Sequence, residues 1–272
     1  MGIWPVFNTL KNFGRDRLPM GFQVPAKFWY NWLRGSLERE MNLLGSMVKS
    51  NDRVIDVGGN RGAYAYSLWR LGARVEVFEP NPSCCCVLAA WAADKATVNV
   101  HGVALSGRSG SDYLHIPIDG AGVEHDASAS IEKAGFERAR QQLVALETLD
   151  SFAFEDVSLI KIDVEGHEYC VIEGGASTIV TSRPALLVEI EQRHSVRPIA
   201  EVFDKILGFG YEGFVMEGKG LMPLDTFDPA RDQSMDNFLA SNKAYINNFI
   251  FLHSDRLAAG QYRGLVGGAS RR

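Results

Sequence analysis

Apolar residues along the chain fall into short unbroken runs separated by segments of helical period. Runs of Val, Ile, Leu and Phe predict strands at 53–57, 74–79, 97–103, 157–163 and 185–190, with two more at 211–216 and 248–252. Runs without an alternating polar face belong to strands covered on both sides. Between them the pattern predicts helices near 62–71, stopped by Gly72, and near 82–94. A third runs to about Val180, and a fourth begins at Pro198 and ends at Gly208. Strand and helix in alternation imply an α/β fold, a seven-stranded, mostly parallel, Rossmann-like sheet with helices on both faces.

Two regions leave this rhythm. Ala26–Leu33, rich in Phe, Trp and Tyr, reads as an amphipathic helix continuing through Glu38–Leu44, which would pack on a sheet edge, form a flap or make a dimer contact. From about 110 to 151 two strand-like stretches, 111–116 and 142–147, flank a Gly-, Ser- and Asp-rich segment, 117–141, with weak periodicity. A long polar excursion in a compact domain is usually functional or mobile, so 117–141 reads as a substrate loop closing over the acceptor, or else as a plain surface loop. The expected organisation is an N-terminal helical extension at 1–50, a domain at 51–256 with an insertion at about 110–151, and a tail at 257–272.

The first two strands bracket Asp56-Val-Gly58-Gly-Asn60-Arg-Gly62 and the second ends in Glu79, about 20 residues further on. Gly58 and Gly62 allow a sharp turn or a close approach. Glu79, at a strand's carboxyl end, can accept hydrogen bonds from both hydroxyls of a ribose. A dinucleotide fingerprint needs G-x-G-x-x-G, whereas Asn60 stands where its second glycine belongs, so a pyrophosphate is less well accommodated. S-adenosylmethionine carries no phosphate and needs no such cradle.

Composition narrows the partners. A formal net charge of −5 with no basic block gives no footprint for a nucleic acid. No apolar run has the length of a membrane span and the N-terminus lacks a signal core, so the expected setting is the cytoplasm, with no membrane partner. Cys84, Cys85 and Cys86 are adjacent and Cys170 is remote, which is no metal spacing; the triplet reads as small apolar filler of a helix in a reducing compartment.

Asp56-x-Gly58-x-Asn60-x-Gly62, Phe78-Glu-Pro-Asn-Pro82, Ala104-Leu-Ser106, Thr148-Leu-Asp150 and Lys161-Ile-Asp-Val-Glu-Gly-His-Glu168 together closely resemble the FkbM family of S-adenosylmethionine-dependent methyltransferases. Gly59 and Arg61 stand where that family often has Ala and Ile. The resemblance covers about residues 50–195, and the last motif is its most specific part. It implies the class I methyltransferase fold, with strand order 3-2-1-4-5-7-6 and an antiparallel last strand. It also implies O-methylation of hydroxyls on sugars or other natural products. Carried over motif by motif, Gly58, Asn60 and Gly62 of the Asp56 turn would line the methionine end, Glu79 would hold the ribose, and Asn81 with Ala104 would border the adenine.

Methylating a hydroxyl requires a base, a metal ion that lowers the hydroxyl's pKa, or both. Asp163, Glu165 and His167 lie at and beyond the carboxyl end of the fourth strand, where open α/β sheets place ligands. Glu189 and Glu191 would share one face of the next strand, followed by His194. The expected catalytic residues are therefore Asp163, Glu165 and His194, with Asp163, Glu191 and His194 as a candidate Mg²⁺ set. The alternative for Glu165 and Glu168 is to cap the following helix. Three function classes remain: an O-methyltransferase acting on a hydroxylated small molecule, an NAD-dependent oxidoreductase, and a non-catalytic cofactor-binding or assembly protein. A homo-oligomer is compatible with each.

Overall fold

The computed structural model describes residues 18–132, 138–218, 220–239 and 245–266. Its main sheet has eight strands: β1 (Arg53–Val57), β2 (Arg74–Phe78), β3 (Val98–His101), β7 (Val157–Ile162), β8 (Ala185–Glu189), β9 (Tyr211–Glu217), β10 (Gly220–Pro223) and β11 (Asn248–His253). They lie in the order β10-β9-β11-β8-β7-β1-β2-β3. β1, β2, β3, β7 and β8 run parallel, and β11 lies antiparallel to β8 and β9. This is the expected seven-strand order with one strand more, because Gly220–Pro223 folds back on β9 as an edge hairpin.

Neighbouring residues along each strand face opposite cores. Val54, Val77, Leu159, Leu187 and Ile250 join one core with helices α1 (Met20–Leu33), α2 (Ala63–Arg70) and α3 (Pro82–Ala92). Ile55, Phe78, Ile160, Val188 and Phe251 join the other with α4 (Glu168–Gly174), α5 (Ala176–Ser182) and α6 (Ile199–Leu207). Apolar residues on both faces are what the unbroken runs required.

The N-terminal helix differs from its expected form. α1 begins at Met20, and Gly35, at φ +62°, ends the run before a separate 3₁₀ turn at Arg39–Leu43. The amphipathic pattern is therefore divided between two pieces. Val24 and Phe28 of the first join the core beside α2 and α3.

The excursion is built rather than open. β5 (Gly110–Pro117) pairs with β6 (Ala139–Glu147) in unbroken register from Gly110↔Leu146 to Pro117↔Ala139, and β4 (Ala104–Leu105) pairs with β6 on its other side. Within the segment read as a loop, the Asp119 carboxylate accepts the N–H groups of Ala121 and Val123, each at 2.9 Å, closing a tight turn. Such side-chain acceptance is the usual role of Asp in turns.

Candidate functional site

The loops after β1, β2 and β7, together with Val103, Ala104 and Leu105 at β4, surround a cleft. Gly58, Asn60, Glu79 and Ala104 line it, together with Asp163, Glu165 and His167. Asp56, Gly62 and Asn81 lie behind that lining and serve it indirectly.

The glycines of the first turn answer two close approaches. Gly58 has φ +80°, and a Cβ there would lie 1.8 Å from the Asp163 carbonyl oxygen, so its smallness lets the first and fourth strand loops meet. Gly62, at φ +79°, would press a Cβ to 2.9 Å from Leu88 and 3.0 Å from Val24. Asp56, fully buried beneath the turn, is pushed up to about 7 by burial.

Glu79 is fixed at both oxygens: Asn60 N–H donates at 2.6 Å and Asn81 N–H at 2.7 Å. Burial pushes its carboxyl up to about 7 despite those two bonds, and Asp126 and Asp163 add negative charge nearby. Asn81 has a further structural duty, since its side-chain oxygen accepts from Ser83 N–H at 3.1 Å and caps α3. Its amide nitrogen donates to Asp126 at 3.0 Å. Asp126, Ala127, Ala129, Ser130 and Ile131 belong to the excursion and line the same cleft as Glu79. The expected acceptor loop is thus, over this stretch, a wall of the cleft that Glu79 lines; residues 133–137 lie outside the described residues.

At the β7 end a second group of carboxylates surrounds a buried lysine. Lys161 Nζ lies 3.8 Å from Asp163 and 3.9 Å from Glu189, 3.5 Å from the Asn248 side-chain oxygen and 5.0 Å from the Tyr64 ring centre. Burial pulls the ammonium down, but Asp163, Glu189, Glu38 and Asp56 outweigh it and its pKa is raised. Burial raises both the Asp163 and the Glu189 carboxyls; the charge of Asp163 raises Glu189 further, whereas the hydrogen bond with Glu189 lowers Asp163. Such a pair holds one proton between two oxygens and titrates as a unit. Asp163 keeps 30% of its side chain open, facing the cleft. Glu38 reaches this group from the N-terminal region, accepting from Tyr64 OH at 2.6 Å.

The remaining expected residues separate. Glu165, at φ +54°, lines the cleft and pairs with His194, whose imidazole that hydrogen bond holds above its ordinary pKa. Glu191 turns elsewhere: it accepts from Arg193 and from Tyr245 OH at 2.6 Å. Burial would raise the Glu191 carboxyl, but those partners hold it below its usual range. The expected metal set of Asp163, Glu191 and His194 is therefore not brought together, and among the described residues no three His, Cys, Asp or Glu side chains converge as metal ligands. The reason is local: β8 stops at Glu189, and His194 N–H returns to Glu191 O at 3.1 Å, so strand alternation no longer governs 191–194. Neither Glu165 nor Glu168 caps α4 through its side chain: Glu168, in the first turn, accepts Gly166 N–H at 2.9 Å from the loop before the helix, and burial pushes its carboxyl up to about 7. His167 bridges the Glu132 carboxylate at 2.8 Å and Ser106 Oγ at 3.0 Å, tying the excursion to the sheet.

Among solved structures, the chain is similar to a methyltransferase FkbM from Methylobacillus flagellatus KT, at 16% identity and TM-score 0.49, covering 92% of this chain and 58% of that one. It is also similar to a precorrin-6y C5,15-methyltransferase from Geobacter metallireducens GS-15, at 11% identity, TM-score 0.43 and coverages of 79% and 86%. An rRNA methylase from Streptococcus thermophilus follows at 9% identity, TM-score 0.43 and coverages of 78% and 91%. The chain thus spans 58% of the length of that FkbM structure. No curated protein matches it. The family model of the methyltransferase FkbM domain matches residues 56–212, from the Asp56 turn to the start of β9. That match takes in both carboxylate groups and more than half of the chain, and the protein belongs to the methyltransferase FkbM family.

Proposed function

We propose that this protein is an S-adenosylmethionine-dependent O-methyltransferase acting on a hydroxyl of a small molecule, a sugar or glycosylated natural product. The observation that carries the reading is Glu79: a buried carboxylate at the end of β2, locked by two backbone N–H groups and facing the cleft. A carboxylate so held presents its remaining lone pairs to a ribose hydroxyl. Phe78, Val103 and Leu105 supply apolar walls for an adenine beside it. Asn60 N–H, which a pyrophosphate would need, is already spent on Glu79, and this disfavours a dinucleotide.

When bound, the cofactor supplies an electrophilic methyl and departs as a neutral thioether, so the protein's task is to align a hydroxyl and accept its proton. Asp163 is the best-placed acceptor: it lines the cleft, shares a hydrogen bond with Glu189 and is held beside the fixed positive charge of Lys161. His194 is occupied by Glu165. The cleft is lined by four carboxylates, Glu79, Asp126, Asp163 and Glu165, and by no Lys or Arg among the described residues, which favours a small neutral acceptor over a polyanion. The four cysteines form no disulfide, in keeping with a reducing, cytoplasmic setting. Thermal melting tests the cofactor class: S-adenosylmethionine or S-adenosylhomocysteine should raise Tm and NAD should not. Stabilisation by NAD alone would replace this reading with the oxidoreductase.

A further inference from the structure

On the reading that the cleft holds an adenosyl cofactor, we propose that Asp126, supplied by the excursion rather than by the parallel sheet, is a second ribose-recognition carboxylate acting beside Glu79. The two carboxylates are held as a matched pair. Asn81 serves one oxygen of each, its backbone N–H donating to Glu79 Oε1 at 2.7 Å and its side-chain amide to Asp126 Oδ1 at 3.0 Å. Consecutive residues of the glycine turn serve the other oxygens: Asn60 N–H donates to Glu79 Oε2 at 2.6 Å, and the Arg61 guanidinium pairs with Asp126 Oδ2. Both carboxylates line the same cleft, and the negative charge of Asp126 acts on Glu79 more strongly than that of Asp163.

The placement of Asp126 does not depend on Arg61 alone. Four residues on, Ser130 exchanges backbone hydrogen bonds with His115 of β5 at 2.7 and 3.0 Å, and its hydroxyl donates to the Glu165 carbonyl at 2.6 Å. The excursion is therefore pinned to the loop after β7 while its Asp126 reaches the loops after β1 and β2. A ribose has two adjacent hydroxyl donors, and two carboxylates held side by side can accept one from each. A ribose carrying a phosphate would meet two negative charges at that wall and be rejected.

Calorimetry with S-adenosylhomocysteine and its 2′-deoxy and 3′-deoxy derivatives tests this on the wild type, Asp126→Asn and Glu79→Gln, with Tm recorded for each. Each deoxy derivative should bind wild type roughly 10-fold or more weakly than the parent, as expected for losing a hydrogen bond to a charged group. In Asp126→Asn the penalty for one derivative should fall to about 3-fold or less while the other keeps its own, and Glu79→Gln should show the reverse assignment. Asp126→Ser gives a second variant with the same expectation should the Asn form fold poorly. If folded Asp126 variants bind the parent more weakly but keep both penalties, Asp126 is only a tie for the excursion and the proposal is overturned. Failure of S-adenosylhomocysteine to bind the wild type would overturn the cofactor reading itself, and this proposal with it.

Discussion

The two carboxylate groups at the sheet's carboxyl edge are held by different partners. At the β1 and β2 ends, Glu79 is fixed by backbone N–H groups, one for each oxygen, so its position is set by the turn and its lone pairs are directed. At the β7 and β8 ends, Asp163 and Glu189 are held by each other and by a buried ammonium more than 3.5 Å from both. Fixed neutral donors favour recognition, because they orient an acceptor without competing for protons. A shared proton beside a fixed cation favours proton transfer, because the pair can take up charge without moving.

The sharpest break in that comparison comes from Asp163→Asn. It should lower kcat by about 10²–10⁴-fold, the usual range for general-base catalysis, with S-adenosylhomocysteine affinity preserved. Initial rates against calorimetry separate the two quantities, and a parallel loss of affinity would mean that the two groups are not functionally distinct.

Next in size is Lys161→Met, which removes the positive charge beside Asp163 and Glu189. Loss of one partner from a buried ion pair costs about 3–5 kcal/mol, read as a lower midpoint in urea. Adding Glu189→Gln should recover part of that loss, because one fewer buried charge is left uncompensated. Full additivity of the two substitutions would show that Lys161 does not hold Glu189.

The pH dependence of cofactor binding is smaller and follows from Glu79. Its folded pKa is raised to about 7 by burial, so the free protein keeps the carboxyl largely neutral below that pH, whereas ribose hydroxyls are best accepted by the ionised form. Affinity for S-adenosylhomocysteine should therefore rise with pH, by about tenfold from pH 6 to pH 8, and Glu79→Gln should flatten the profile. The sign for stability is opposite. Asp56, Glu79 and Glu168, each raised to about 7, bind protons in the folded state that they release when unfolded, so the unliganded protein should lose stability as pH climbs from about 4.5 to 7. Urea midpoints across that window check it.

The smallest expected effect is that of chelation. Because Glu191 is committed to Arg193 and Tyr245, and His194 to Glu165, EDTA should leave turnover unchanged; loss of activity restored by Mg²⁺ would show that the acidic group rearranges around a metal.

Much of this arrangement was legible in the residues. Unbroken apolar runs gave both covered faces of the sheet, and the turn after Asp56 with Glu79 lies at a cleft as expected, because backbone geometry and strand ends are local properties. Lys161 was missed although its signal was present. A lysine inside an apolar run of a strand covered on both faces must find counter-charges, and Asp163, Glu189 and Glu38 are those charges. Glu191 is committed to Arg193 and Tyr245 because strand alternation ends with β8 at Glu189. Asp126 could not be found at all, since it lies 45 residues from Asn81 in a segment without periodicity, and only the folding of β5 on β6 brings it to the cleft. The hairpin β9–β10 likewise follows from a turn whose residues gave no strand-length pattern of their own.

The central claim is that Glu79 is the ribose-reading residue of an adenosyl cofactor site, and calorimetric titration of S-adenosylhomocysteine into wild type and Glu79→Ala tests it most directly. A lost hydrogen bond to a charged group is worth about 1.5–3 kcal/mol, so the variant should bind roughly 10- to 150-fold more weakly while keeping its fold. Unchanged affinity in a folded Glu79→Ala protein would contradict the account.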